Sequence, residues 1–485
     1  MLLKVGLGYT TEDQTIFWYV ARDYLHLQFP EPLFYGSPYS SHLEAFLAAP
    51  FVGIGIGPEI AIPIVSVALT ALPWVLLARA AWMRTHYRVA IGILCGTFLL
   101  PVQYSAINTQ AAHGSGVAVA AIGAALLLRF EPGAKTHFVF ALLGSLALLT
   151  YPSSIFLTVP VALWVLWVSR PRLRVWLALG LGAAAGAAVY APARWFYTLH
   201  PEYALHVLPP LGFEWRRLVD GVWSLDRHLG DVTPILLSSY GFLLLGMAAL
   251  AGYWVRTRKW QLPIIGIIAI LGIILSLGIP KVHDGSASFA FAYGRVFLAI
   301  PLLVAFLAVV AADDLPQLRA PLPRFALPLV VAGLLALGLW RQLFLDSEME
   351  RLVLVRNPVV SIVPTERVLD DCRKLREVAD ANGAELVIDN RSRVNAYGCG
   401  SLWYGALTIL HPAYDRRTRL MLAERDGLRR VILVVARDPQ FCARALARGF
   451  SCERIDNMPG VAVIRSPGIS PISFAKAVGM PVRRL

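Results

Sequence analysis

The sequence predicts a polytopic α-helical membrane protein with a small α/β domain at its C-terminus, and three observations predict it. Apolar residues make up 57% of the 485 and charged residues only 15%, too few charges to coat a soluble globule of that length. From 59 to 345 the apolar residues come in uncharged runs of roughly 15–22, which match the hydrocarbon core of a bilayer. From 346 onward the runs stop and a charge occurs every few residues. The chain therefore divides into a polar segment at 1–58, a block of about ten spans at 59–345, and a soluble domain at 346–485.

The spans are expected at 59–82, 87–105, 112–130, 137–151, 154–169, 174–192, 234–255, 261–280, 290–311 and 323–345. The formal charge of +13 would point to nucleic acid in a soluble protein. Its placement points elsewhere. Before residue 346 lie 22 of the 44 Lys and Arg residues, mostly in short clusters at every second loop. These are Arg79/Arg84/Arg88, Arg129/Lys135, Arg170/Arg172/Arg174, Arg256/Arg258/Lys259 and Arg319/Arg324. The alternate loops near 105–112 and 150–153 carry neither Lys nor Arg. Cytoplasmic loops are the basic ones, so the pattern predicts a multi-pass protein of the plasma (inner) membrane with no nucleic-acid partner. It puts 1–58, 193–233, 280–289 and the C-terminal domain outside. The first ten residues have no signal-peptide pattern.

The outer segments hold most of the polar residues. Loop 193–233 interleaves Arg194, Arg216, Arg217, Asp220, Asp226, Arg227, His228 and Asp231 with Trp195, Trp215 and Trp223. Tryptophan in such a setting suits the headgroup region, where a ring is half wet. In the tail, 365–382 has helical periodicity with Gly383 as its C-cap. Short buried strands are expected at 385–389, 430–435 and 461–464, with a helix at 439–449, giving a three-layer α/β domain. It contains no Gly-rich phosphate loop. Cys95 falls in a span, whereas Cys372, Cys399, Cys442 and Cys452 fall in the tail, where an extracytoplasmic setting permits two disulfides.

The first loop carries a motif. It runs Asp13-Gln-Thr-Ile-Phe-Trp-Tyr-Val-Ala-Arg22, then Tyr35-Gly-Ser-Pro-Tyr-Ser-Ser-His42-Leu-Glu44, then a Gly-rich step into a long span. This resembles the opening of the GT-C membrane glycosyltransferases. It is most similar to the family 39-like group, which includes protein O-mannosyltransferases and bacterial aminoarabinose transferases. In that group the first outer loop has an acidic pair with an Arg nine residues after the Asp. Asp13 and Arg22 keep the spacing, while the second acidic position is Gln14 and the extra acid is Glu12. Tyr293-Gly-Arg295-Val-Phe-Leu-Ala-Ile-Pro301 resembles a span near the end of these membrane domains, and 389–397 resembles their soluble outer domains. The group also begins with a helix before the acidic loop, for which Met1–Gly8 is too short, so the resemblance implies a further helix upstream.

The resemblance implies a GT-C-like fold and transfer of a sugar from a polyprenyl-phosphate donor to an acceptor hydroxyl on a glycan, lipid or protein. Asp13 is then the candidate base, because a carboxylate must take the acceptor's proton, and Glu12 is a second acid. Donor phosphate and sugar candidates are Arg22, Tyr35, His42, Glu44, Arg216, Arg217, Lys281, His283, Asp284, Tyr293 and Arg295. Arg295 stands out because an arginine five residues into a span is costly unless it faces a cavity or partner. The resemblance makes no cofactor certain; a divalent metal ion is a candidate aid to the leaving phosphate. Three rival readings are a transporter, a surface-glycan polymerase or ligase, and a non-catalytic scaffold of this fold. A transporter should bury ionisable groups at mid-membrane, whereas here the polar groups gather on one side.

Overall fold

A computed structural model describes residues 12–33, 35, 40–131, 133–169, 172–203, 212–283, 293–315, 365–390, 408–410, 428–436, 438, 440–456 and 458–479, with scattered positions in 328–340. The first polar segment forms α1 (Glu12–Leu25) and α2 (Leu43–Gly53). The apolar block follows as α3 (Pro58–Met83), α4 (Tyr87–Leu99), α5 (Val102–Asn108), α6 (Ser115–Arg129), α7 (Ala134–Thr150), α8 (Ile155–Val168) and α9 (Leu173–Leu199). Then come α10 (Trp215–Trp223), α11 (Leu225–Leu229), α12 (Ser239–Thr257), α13 (Gln261–Ser276) and α14 (Ile300–Ala312), the last entered through a 3-10 turn at Tyr293–Phe297.

Among the described residues three helical stretches are long and apolar enough to cross a membrane: Pro58–Met83, Leu173–Leu199 and Tyr293–Ala312. Shorter apolar helices accompany them. The span expected at 87–105 is two helices, because Pro101 forces Leu100 into an extended conformation and ends α4. The pair expected around Tyr151 and Pro152 is likewise joined by a short 3-10 turn. The span expected at 323–345 lies largely outside the described residues.

Helix packing follows from small residues where backbones meet. A Cβ on Gly182 of α9 would sit 2.3 Å from the carbonyl oxygen of Phe138 in α7, and one on Gly186 would sit 2.7 Å from Cβ of Ser145. The i, i+4 glycines thus let α9 ride against α7, as small residues do between membrane helices. On the side of the basic loops, Asp313 and Asp314 at the end of α14 gather cations from several helices. Asp313 accepts from Arg84 at 2.5 Å and lies 2.8 Å from Nε2 of His86. Asp314 takes Lys259 at 2.6 Å and the hydroxyl of Tyr253. Arg84 also donates to the carbonyl of Leu128 at 2.7 Å. Asp313→Ala should therefore lower stability by about 2 kcal/mol, read as a lowered Tm in mild detergent.

The tail folds as α15 (Thr365–Ala381), β1 (Leu386–Asn390), β2 (Thr408–Leu410), β3 (Arg429–Ala436), α16 (Phe441–Leu446), β4 (Ser451–Arg454), β5 (Val461–Ile469) and α17 (Pro471–Ala477). The strand order is β2-β1-β3-β5-β4, with β1 parallel to β2 and β3 and the β5 pairings antiparallel. Alternation along the strands sends Val387, Leu433, Val435 and Val463 to the face covered by α15. Ile388, Ile432, Val434 and Ile464 go to the face covered by α16 and α17. The expected three layers are present, and β2 and β4 are strands the sequence pattern missed. Cys442 and Cys452 form a disulfide with Cα atoms 5.4 Å apart, so one of the expected tail pairs exists, and Cys372 is also disulfide-bonded. The apolar cluster beneath α15 is continuous with Ile16, Phe17, Val20 and Ala21 of α1. The α/β domain therefore shares a core with the helix that carries Asp13.

Candidate functional site

The first polar group is built where α1 and α2 grip the turn between α5 and α6. Gln14 pairs with the backbone of Ala111 in both directions, donating to its carbonyl at 3.3 Å and accepting from its N–H at 3.0 Å. Glu44, buried to 1% exposure, accepts from the N–H of Ala112 at 3.0 Å. Ala112 itself has φ 76°, a left-handed conformation that holds this turn open to both side chains. The clamp explains the glutamine at the second acidic position. A carboxylate there could not donate to the Ala111 carbonyl and would repel it.

Behind the clamp lies a buried hydrogen-bonded set. Tyr35 donates to Asp23 at 2.7 Å, and the hydroxyl of Tyr24 lies 3.0 Å from Nδ1 of His42. The rings of Tyr35 and His42 meet edge to face at 5.3 Å. Burial pushes the His42 pKa down to about 3, so its ring is neutral near pH 7. Burial first, then the Asp23 charge, raises Tyr24 to about 12 and Tyr35 further still. Burial raises the Glu44 carboxyl, opposed by its hydrogen bond from the Ala112 N–H. Its Oε2 has no hydrogen-bond partner among the described residues. Arg22 is half-buried on the same helix; burial lowers its pKa and the nearby Glu59 charge opposes that.

His42 supplies a pH test. Its folded pKa lies below the ordinary value, so the unfolded chain binds the extra proton and stability falls as pH drops from about 6.5 toward 3. Glu44 acts with the opposite sign above its ordinary pKa. Comparing His42→Gln with the parent isolates the histidine. The substitution should remove about 2 kcal/mol of the stability lost between pH 7 and pH 5, measured as the difference in Tm shift.

A second polar group gathers around the 3-10 turn Tyr293–Phe297. Arg227 stacks on Tyr293 with its guanidinium carbon 4.1 Å from the ring centroid. His228, fully buried, has its ring 4.7 Å from that of His283 and 5.5 Å from that of Tyr293. Neither of its ring nitrogens has a partner among the described residues. Burial, then the His283 and Arg227 charges, lowers its pKa to about 4. Asp231 is buried and accepts from the N–H of Gly294 at 3.3 Å, and Arg295 is 7% exposed beside it in sequence.

The sequence-expected residues are thus distributed as follows. Tyr35, His42 and Glu44 come together in the first group, and His283, Tyr293 and Arg295 belong to the second. Lys281 is half-buried in the short helical turn Pro280–His283. Arg216 and Arg217 lie apart on α10, where Arg216 is exposed near Asp220 and Arg217 is bonded to Glu214 at 2.6 Å. Glu12 and Asp13 open α1, but their side chains, and all of Asp284, lie outside the described residues. Among the described residues no three His, Cys, Asp or Glu side chains gather so as to hold a metal ion. The structure adds Gln14, Asp23 and Tyr24 to the first group and Arg227, His228 and Asp231 to the second. In sequence Arg227, His228 and Asp231 lie in the Trp-interleaved polar loop 193–233, more than sixty residues from the turn they meet.

The sequence matches no protein-family model and none of the curated proteins. The fold does match. It is that of ArnT from Cupriavidus metallidurans in the apo state, with a TM-score of 0.53 at 12% identity over 93% of each chain. ArnT from the same organism bound to undecaprenyl phosphate matches with a TM-score of 0.50 at 13% identity, again over 93% of each chain. The chain therefore has the GT-C fold of the aminoarabinose transferase, expected from its first loop, as a helical membrane protein with a C-terminal sheet domain.

Proposed function

We propose that this protein is a membrane glycosyltransferase that moves a sugar from a polyprenyl-phosphate donor to an acceptor hydroxyl. The observation that carries the reading is the shared fold over 93% of the chain with a protein solved bound to undecaprenyl phosphate. The Asp13-to-Arg22 motif on α1 and the buried polar group behind it support it. So does the second group, in which arginine, histidine and tyrosine side chains converge near the entry to α14.

In the reaction the acceptor oxygen attacks the anomeric carbon, and the bond from that carbon to the donor phosphate breaks. The bonding electrons leave with the polyprenyl phosphate. Asp13 takes the acceptor's proton as the new bond forms. Arg295, with Arg227 and Tyr293, would meet the charge that develops on the departing phosphate. The reaction takes place on the outer face of the inner membrane, with the C-terminal domain on that side. The Cys442–Cys452 disulfide supports that placement, since such bonds persist in oxidising compartments.

The test is transfer by the full-length protein in lipid nanodiscs from a radiolabelled undecaprenyl-phosphate sugar to a panel of glycan, lipid and peptide acceptors. Product formation inhibited by free undecaprenyl phosphate is expected. A protein that neither binds undecaprenyl phosphate nor releases labelled sugar from the donor would refute the reading.

A further inference from the structure

Helix α10 presents three sectors around its axis. Leu218, Gly221 and Val222 turn to the protein, the first and last packed on the membrane-domain core. Arg216, Arg217 and Asp220 form a polar sector. Trp215, Val219 and Trp223 share the remaining face at i, i+4 and i+8, and they are 72%, 50% and 81% exposed. Apolar side chains left bare on one face of a helix need a cover. Its setting in the membrane domain identifies it. The hydroxyl of Tyr240 in the first turn of α12 donates to the carbonyl of Val222, which sets the C-terminal end of α10 beside the start of α12, whose Leu244 and Leu245 are exposed. A tryptophan-flanked amphipathic helix beside the bare leucines of a membrane-domain helix fits the interface of a leaflet.

The inner sector of α10 touches the second polar group. A Cβ on Gly221 would lie 2.8 Å from Cβ of Leu277 and 3.4 Å from Cε1 of His283. The N–H of Glu214 donates to the carbonyl of Gly278 at 2.8 Å. His283 in turn bonds the carbonyl of Leu277 at 2.5 Å and leans on His228. We infer that α10 lies in the interfacial plane of the outer leaflet and, through Gly221, its seating there holds His283 and the Arg227–Tyr293 stack in register with a lipid whose tail stays in the bilayer. This deepens the proposed function and rests on it for the identity of that lipid.

Two measurements on the full chain in phosphatidylethanolamine–phosphatidylglycerol nanodiscs test it. Spin labels go on Val219→Cys or Arg216→Cys in a Cys95→Ser background, with the unsubstituted background as reference. The label at 219 should be relaxed by oxygen and shielded from an aqueous nickel chelate, and the label at 216 should show the reverse. Equal water access at both positions overturns the leaflet seating. The double variant Trp215→Ser, Trp223→Ser should bind undecaprenyl phosphate about tenfold more weakly and bind a water-soluble short-chain prenyl phosphate within about twofold of the parent. Unchanged affinity for the long-chain lipid, or an equal loss for both, overturns the coupling. Absence of sugar transfer would refute the function reading and leave both measurements standing.

Discussion

Asp13→Asn is expected to abolish sugar transfer, lowering kcat by about 10³-fold, while undecaprenyl phosphate binds within about twofold of the parent. The asparagine keeps the volume of the side chain and its place at the start of α1 but cannot accept the acceptor's proton. The clamp of Gln14 on Ala111 holds the next residue, so the helix start should stay in place. Single-turnover transfer with saturating donor, alongside lipid binding, separates the two quantities. Wild-type turnover in Asp13→Asn would remove Asp13 as the base. Glu12→Gln made beside it reports whether the neighbouring acid shares the role.

The second large effect is expected at the phosphate end. Arg295→Ala should lower kcat/KM by about 100-fold, with KM raised and kcat reduced together. A cation near the donor phosphate stabilises the bound ground state and, more strongly, the transition state in which charge builds on the leaving oxygen. The buried setting of Arg295 makes the loss larger than at an exposed arginine such as Arg216. Arg216→Ala should change kcat/KM by less than about threefold by the same reasoning. Steady-state kinetics across donor concentration distinguish the two arginines. If Arg216→Ala were the more damaging, the phosphate site would have to move onto α10.

Much of the architecture could be read from the chain because it depends on local properties. Run length between charges identifies membrane helices without reference to any partner, and the expected 59–82 span is α3 to within a residue at each end. Period-3.6 and period-2 patterns likewise located α15, β1, β3 and β5. β4 and β2 escaped because they are short, and β4 is an edge strand with mostly exposed residues. The Asp13-to-Arg22 spacing, with the Tyr35-to-Glu44 stretch and the Gly-rich step after it, pointed to the GT-C fold.

Only the tertiary structure decided which distant backbone or side-chain groups these polar residues meet. Gln14 stands at the second acidic position, and its amide pairs with both the N–H and the carbonyl of Ala111, 97 residues on. Tyr35 is a candidate sugar contact whose hydroxyl donates to Asp23. Glu44 accepts from the Ala112 N–H with one oxygen, and the other is buried with no hydrogen-bond partner among the described residues. Arg227, His228 and Asp231 read as a charged loop until the fold sets them against Tyr293 and Gly294, more than sixty residues on. A side chain's type and spacing follow from the sequence, but its hydrogen-bond partner depends on which distant loops the packed helices bring within about 3 Å.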